Sequence, residues 1–159
     1  MATIKESNRH GSILAVCVSG EKGVKKRHIQ AAVFKESFGI IGDAHAGSPR
    51  QVSLLAEESI AQMREKGLNV LPGDFAENIV TQGLDLKGVH IGTKIKIGED
   101  VILQVTQLGK DCLRPCAIYY KVGDCIMPRE GVFAKVLEGG IVKVKDAIQI
   151  IALKACSIC

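Results

Sequence analysis

Hydrophobic and polar residues alternate along this chain in short runs that are typical of β-strands. Residues 93–97 alternate cleanly, a Gly-Glu-Asp turn follows, and residues 101–107 form a second β-rich run. Two such runs around a tight turn predict a β-hairpin. Similar runs predict further strands at 12–19, 29–34, 51–55, 77–81, 132–137 and 142–151.

One segment, residues 56–66, has helical periodicity instead. Ile60 and Met63 fall on one helix face, two glutamates open the segment, and Lys66 ends it just before a glycine. Residues 115–120 predict a second, shorter helix. Seven or eight short strands with so few helices predict a mainly β fold, with a closed or nearly closed, barrel-like core and a few peripheral helices.

Length and composition fit one globular domain. The chain has 159 residues, of which 47% are hydrophobic and 24% charged. We expect a flexible tail at 1–10, a single domain at 11–152 and a Cys-containing tail at 153–159. The polar N-terminus lacks the apolar stretch of a secretory signal, and no apolar run is long enough to cross a bilayer, so we expect a cytoplasmic protein without membrane association.

The formal net charge of +4 is concentrated in residues 22–28. Such a run is usually a solvated loop, and it also suits a phosphate-bearing small molecule. Nucleic-acid binding is disfavoured, because the run lacks the interleaved aromatic side chains on which bases stack.

The candidate chemistry centres on cysteine. In the cytosol, six cysteines favour free thiols, metal ligands or redox chemistry over disulfides. Cys112 is flanked by Lys110 and Arg114, which would stabilise the reactive thiolate. The alternative is that Cys112 and Cys116 are small buried hydrophobic residues.

A zinc site is a further alternative. Cys112 and Cys116 form one pair, and the C-x-x-C of Cys156 and Cys159 could supply a second. The spacing of the first pair is weak for zinc, and the second could equally be an exposed tail.

Residues 39–47 form a glycine-rich loop that holds Asp43 and His45. In a strand, residues two positions apart would share one face. The alternatives are that Asp43 caps a turn and that His45 is an ordinary surface residue. Arg50, just beyond, suits bidentate binding of an oxyanion, or is merely a surface charge.

Two further polar positions are candidates for ligand binding. Asn78 could hydrogen-bond a ligand or simply begin a strand. Arg129 lies in a polar turn at residues 127–131.

Taken in order, these segments resemble the MOSC family, the molybdenum cofactor sulfurase C-terminal domain. The resemblance covers residues 11–151 and rests on the order and spacing of several blocks, and the chain is most similar to the free-standing branch. The blocks are Gly-Asp-x-His-x-Gly at 42–47, Arg-Gln-Val-Ser-Leu-Leu at 50–55, Gly-x-Phe-x-Glu-Asn-Ile at 73–79, Ile-Gly at 91–92, Val-Thr-Gln at 105–107 with Cys112 five residues on, Gly-Val-Phe-Ala at 131–134 and Gly-Gly at 139–140.

The resemblance implies a MOSC-type barrel and a role for Cys112 as a persulfide carrier or as the molybdenum ligand of a bound molybdenum cofactor (molybdopterin). In full-length sulfurases a pyridoxal-phosphate-dependent cysteine desulfurase domain supplies the sulfur, so here pyridoxal phosphate would act only through a partner. The expected partners are a cysteine desulfurase or molybdenum-cofactor biosynthesis proteins.

The resemblance leaves two alternative functions open. Reductase-like relatives imply a molybdenum-dependent reductase of N-hydroxylated compounds, and the cysteines leave a zinc-binding or redox-sensing thiol protein. The residues predicted to act are Cys112 and Cys116 in catalysis, and Asp43, His45, Arg50, Asn78, Lys110, Arg114 and Arg129 in cofactor binding.

Overall fold

The structure, a computed structural model, describes residues 9–22, 24–109, 126 and 130–152. Within these ranges the chain forms the helix α1 (Glu57–Glu65) and a 3-10 turn at Leu86–Gly88. The strands are β1 (His10–Val18), β2 (Arg27–Ile29), β3 (Ala31–Lys35), β4 (Gly39–Ile40), β5 (Val52–Ala56), β6 (Ile79–Gln82), β7 (Lys94–Ile97), β8 (Val101–Leu108), β9 (Val132–Glu138), β10 (Gly140–Lys143) and β11 (Ala147–Ala152).

Seven of the strands close into a barrel, in the order β11-β7-β8-β9-β5-β6-β1. Antiparallel pairing of β1 with β11 closes the ring, with His10 opposite Gln149 and Ser12 opposite Ala147. The pair β5–β6 is parallel, and β2 extends the sheet beyond β1. The strands β10, β3 and β4 form a second, antiparallel sheet. The predicted mainly β, barrel-type fold is confirmed.

Two hydrophobic layers follow from the alternation along the barrel strands. Val52 and Leu54 of β5 point into the barrel core, whereas Leu55 joins an outer layer between the barrel wall and α1. Each fully buried aliphatic side chain contributes about 1.5–3 kcal/mol relative to exposure. The outer layer consists of Ala15, Cys17, Leu55, Ile60, Met63, Leu68, Val70, Phe75, Val80, Ile126 and Phe133.

Two predicted strands are each divided in the structure. The run at 29–34 splits at Gln30, whose carbonyl accepts a hydrogen bond from the Val144 N–H (3.0 Å), so that β2 and β3 enter different sheets. The run at 142–151 splits at Lys145, which has a left-handed φ of 79° and donates its N–H to the Ile13 carbonyl (2.8 Å).

The loop predicted at 39–47 begins as a strand, because Gly39 and Ile40 form β4 and pair with β3. Helix α1 and the hairpin β7–β8 are confirmed. The helix predicted at 115–120 lies outside the described residues. In the part of the chain that the structure describes, no helix has the length and apolar character needed to cross a membrane.

Candidate functional site

The structure describes only some of the residues predicted to act. Cys112, Cys116, Lys110, Arg114 and Arg129 lie outside the described residues, so their roles stay predictions. Asp43, His45, Arg50 and Asn78 are described.

Asp43 and His45 lie in successive tight turns rather than in a strand. The Ala46 N–H donates to the Asp43 carbonyl, and the Ser48 N–H donates to the His45 carbonyl, both at 3.1 Å. The Ala44 N–H reaches back to the Ser19 carbonyl (2.8 Å), which fixes this loop to the end of β1. The two side chains meet because the loop folds back on itself, not because they share a strand face.

The Asp43 carboxylate is buried and fully hydrogen-bonded. Its Oδ1 accepts from the Ser19 N–H (3.1 Å) and from the Lys26 ammonium (2.8 Å), and its Oδ2 accepts from the His45 N–H (3.1 Å). Burial raises the pKa of Asp43, but hydrogen bonds from His45, Lys26 and Ser19 outweigh it and hold that pKa well below its ordinary value. Asp43 therefore caps its own turn and also forms a buried ion pair.

Lys26 is a residue that the sequence analysis missed. Its side chain is 1% exposed and ends among Asp43, Ser19 and His45, whereas its neighbours Lys25 and Arg27 are exposed. The sequence offers only a weak signal, because Lys26 is one of several cations in a run that reads as a solvated loop.

Arg50 lies over the outer barrel wall. Its guanidinium carbon is 5.6 Å from the centre of the Phe133 ring, a cation–π distance. Among the described residues the guanidinium has no hydrogen-bond or ion-pair partner, so its donors are open to a ligand. Phe133 of β9 lies opposite Gln107 of β8, whose side-chain amide donates to the Gly109 carbonyl (2.8 Å).

Asn78 lies immediately before β6, and its side chain forms hydrogen bonds with β5 and β1. Its Oδ1 accepts from the Ser53 N–H (3.0 Å) and hydroxyl (3.2 Å), and its Nδ2 donates to the Cys17 carbonyl (3.0 Å). These contacts make Asn78 part of the fold. Its predicted contact with a ligand stays a prediction.

Glu77 is a second buried charge that the sequence analysis did not single out. Its two carboxylate oxygens accept from the N–H groups of Gly73 and Phe75, both at 3.0 Å. Burial nevertheless raises the pKa of Glu77 from 4.5 to about 7. Burial, helped by the charge of Glu77, also raises the pKa of the nearby Cys17 thiol to about 12, which argues against Cys17 as a nucleophile.

The raised pKa of Glu77 predicts a stability that depends on pH. Between pH 4.5 and about 7 the folded chain holds the proton more tightly than the unfolded chain. The free energy of unfolding should therefore fall by about 3 kcal/mol as pH rises through this window, and then level off. In Glu77→Gln, a neutral residue of the same shape, this fall should disappear. Chemical denaturation at a series of pH values measures it.

The exposed Glu138→Gln variant is the control for the Glu77 experiment, and it should keep the wild-type pH profile. Glu77→Gln and the wild type share every other ionisable group, so the difference between their curves isolates Glu77. Identical slopes for the two proteins between pH 4.5 and 7 would contradict the assignment.

The described part of the chain also contains two adjoining cavities of about 310 and 340 Å³, and the larger one is also lined by Leu108, Gly131 and Val132. Both are lined by Leu86, Lys87 and Glu130, and neither includes a described residue that the sequence predicts to act. No group of three or more His, Cys, Asp or Glu side chains arranged to hold a metal occurs within the described ranges. The cysteine pairs considered for zinc lie outside them.

The comparisons with solved structures support the fold. The YUAD protein from Bacillus subtilis superposes with a TM-score of 0.72 at 18% identity, covering 87% of this chain and 94% of that one. YiiM from Geobacillus stearothermophilus has a TM-score of 0.65 at 17% identity, covering 89% and 75%. YiiM from Escherichia coli has a TM-score of 0.61 at 21% identity, covering 89% and 70%. At these identities the likeness shows a shared fold alone.

The sequence comparisons identify the family. A protein of Gibberella moniliformis (strain M3125 / FGSC 7600) named "Reductase" is 29% identical over 118 residues, which make up 67% of this chain. The chain spans only 21% of that relative. The model of the MOSC domain family matches residues 42–149, which is more than half of the chain. The chain therefore belongs to the MOSC domain family.

Proposed function

We propose that this domain binds the molybdenum cofactor or carries sulfur, in either case through the Cys112 thiolate. The observation that carries the proposal is the position of Arg50, whose guanidinium lies over Phe133 of the wall strand β9 and has no ion-pair partner among the described residues. The Gly109 N–H donates to the Gly131 carbonyl (2.7 Å), two residues before Phe133, and Cys112 follows Gly109 by three residues. Three residues of chain span at most about 11 Å.

The side chains on this wall fit an anionic ligand. A guanidinium binds phosphate or oxo groups through paired N–H donors. The partly exposed His45 ring, in the loop that precedes Arg50 in the sequence, is a further polar group that a ligand could contact. A thiolate suits the soft partners in this chemistry, molybdenum and sulfane sulfur. When bound, the cofactor would supply two-electron redox chemistry, while the protein supplies binding and orientation.

Sulfur carriage would need a sulfur donor. A cysteine desulfurase, with its own pyridoxal phosphate, would present a persulfide. The Cys112 thiolate would attack the terminal sulfur, the S–S bond of the donor would break, and the donor cysteine would leave as a thiolate. Molybdenum-cofactor biosynthesis proteins are the corresponding partners for cofactor delivery, and we place both encounters in the cytoplasm.

Replacing Cys112 with serine tests the proposal. From a host that makes molybdenum cofactor, the wild type should purify with molybdenum and pterin, or should gain a persulfide from a desulfurase with cysteine. Serine lacks the soft thiolate, so Cys112→Ser should carry less molybdenum and pterin, or less persulfide, than the wild type by more than about tenfold. Metal analysis, pterin fluorescence and intact-protein mass spectrometry measure it.

Cys156→Ser is the matched control, because it removes a thiol that the proposal does not use. It should load as the wild type does. Equal loading of Cys112→Ser and the wild type would rule out Cys112. A wild type that takes up neither molybdenum, pterin nor sulfane sulfur would refute the proposed function.

A second candidate function is a molybdenum-dependent reductase of N-hydroxylated compounds. The relative named as a reductase favours it, although this chain spans only about a fifth of that protein. Turnover of an N-hydroxylated compound by the loaded protein with an electron donor would support the reductase. Persulfide formation on Cys112 without such turnover would support the carrier.

A further inference from the structure

The ammonium group of Lys26 has an acceptor for each of its three N–H donors. The acceptors are Asp43 Oδ1 at 2.8 Å, Ser19 Oγ at 3.2 Å and His45 Nδ1 at 3.3 Å. The Ser19 hydroxyl donates its own proton to the Glu21 carbonyl (2.8 Å), so its oxygen is left to accept from Lys26. The ion pair with Asp43 makes Lys26 an ammonium, and its three N–H donors match these three acceptors.

These contacts fix the neutral form of His45. Nδ1 of His45 has two polar neighbours: the Lys26 ammonium at 3.3 Å, and Asp43 Oδ2 at 3.7 Å, which is beyond hydrogen-bond distance. A lysine ammonium cannot accept a hydrogen bond, so Nδ1 accepts from Lys26. The ring proton of the neutral imidazole then lies on Nε2, which makes no hydrogen bond within the described part of the chain. The His45 N–H is held by Asp43 Oδ2, so the backbone and the ring of this residue are both fixed.

The three side chains of this cluster, Lys26, Asp43 and His45, differ in how exposed they are. The side chains of Lys26 and Asp43 are 1% and 0% exposed, whereas the side chain of His45 is 24% exposed. Both oxygens of Asp43 are occupied within the protein. Of the three residues, only His45 can therefore reach a ligand.

We infer that Lys26 and Asp43 are positioning residues that hold His45 as an Nε2–H donor, aimed at an anionic oxygen of the ligand. The tautomer is a property of the free protein, while the ligand contact rests on the proposed function. A phosphate and an oxo group offer the same acceptor chemistry. The sequence analysis predicts that Asp43 acts in cofactor binding. In this arrangement Asp43 would act by orienting His45, without touching the ligand itself.

Nitrogen-15 NMR of the histidine side chains tests the inference in the wild type. At mildly alkaline pH, His45 should be the pure Nε2–H tautomer. His28 is exposed and should show the mixture of tautomers of a free imidazole, which makes it an internal control. A His45 spectrum with the proton on Nδ1, or with the same mixture as His28, would overturn the inference.

Two lysine variants separate positioning from general charge. In Lys26→Met the fixed donor to Nδ1 is lost, so the His45 spectrum should relax towards that of His28. Lys25→Met removes the same charge from an exposed neighbour and should leave His45 unchanged. An unchanged His45 spectrum in Lys26→Met would refute the positioning role. Should Lys26→Met fail to fold, the wild-type spectrum decides.

Titration with inorganic phosphate tests the ligand contact. In the wild type, phosphate should shift the Nε2 signal of His45 much more than the signals of His28. Lys26→Met should weaken this response by about fivefold relative to Lys25→Met, the effect of one misaligned hydrogen bond. Equal, nonspecific shifts of both histidines would overturn the donor role. A failure of the proposed function would appear instead as absent loading at Cys112, with the His45 tautomer intact.

Discussion

Replacing Asp43 with asparagine is expected to lower the free energy of unfolding by about 3–5 kcal/mol, the usual cost of breaking a buried ion pair from one side. Asparagine keeps an oxygen for the Ser19 N–H but carries no charge. The Lys26 ammonium would remain buried, with neutral acceptors alone around it. Chemical denaturation at neutral pH measures the change.

The controls distinguish the pair from the charge. Glu99→Gln removes one negative charge from an exposed position and should change stability by less than about 0.5 kcal/mol. The double variant Asp43→Asn with Lys26→Met removes both charges, and it should be more stable than Asp43→Asn alone. A loss below about 1 kcal/mol in Asp43→Asn would show that water reaches the lysine and that the pair is not buried.

The low pKa of Asp43 adds a test in acid. Its folded pKa lies below the ordinary value of 3.8, so the stability it contributes is present above that value and is lost as pH falls through the folded pKa. The wild type should therefore lose stability below about pH 4 more steeply than Asp43→Asn. Glu77 acts in the opposite direction and at higher pH, so the two groups can be separated within one pH series.

The fold was largely predictable because each barrel strand packs one face against the core and turns the other towards an outer layer or solvent. This difference between the faces produces the alternation of residues in the sequence. In β7, for example, the fully buried Ile95 and Ile97 alternate with less buried lysines. Alternation does not encode which strands pair, however. The run at 142–151 keeps its pattern through Lys145. A local turn, in which the Asp146 N–H donates to the Lys143 carbonyl (3.1 Å), and the distant contact of Lys145 with Ile13 together direct the chain there into a different sheet.

The candidate site was predictable only where its chemistry is local. Asp43 and His45 stand out because they share one glycine-rich loop. Lys26 belongs to the same cluster but is 17 residues from Asp43, and nothing nearby in sequence distinguishes it from its exposed neighbours. Lys26 is buried because the strand that follows it, β2, pairs with β1. The basic composition of residues 22–28 gave no indication of this pairing.

Gly73→Ala is expected to destabilise the chain by more than about 3 kcal/mol. Gly73 has a φ of 93°, where an L side chain costs about 1–2 kcal/mol, and the added Cβ would overlap the Lys26 carbonyl oxygen. The Gly73 carbonyl also accepts from the Lys26 N–H (2.9 Å), so relief of the clash would break this contact. Thermal and chemical denaturation measure the loss.

Gly67→Ala is a closely matched control. Its φ of 95° imposes the same backbone strain, but a Cβ there meets no atom within 4 Å, so it should cost only about 1–2 kcal/mol. Equal losses of stability in both variants would mean that the turn at residues 71–76 rearranges at little cost and does not fix the start of β2. A folded Gly73→Ala variant can also be examined by NMR of His45. A mixture of His45 tautomers in Gly73→Ala, with the wild-type spectrum in Gly67→Ala, would mean that backbone packing at Gly73 positions Lys26. The buried lysine, and with it the orientation of His45, would then depend on the backbone at Gly73.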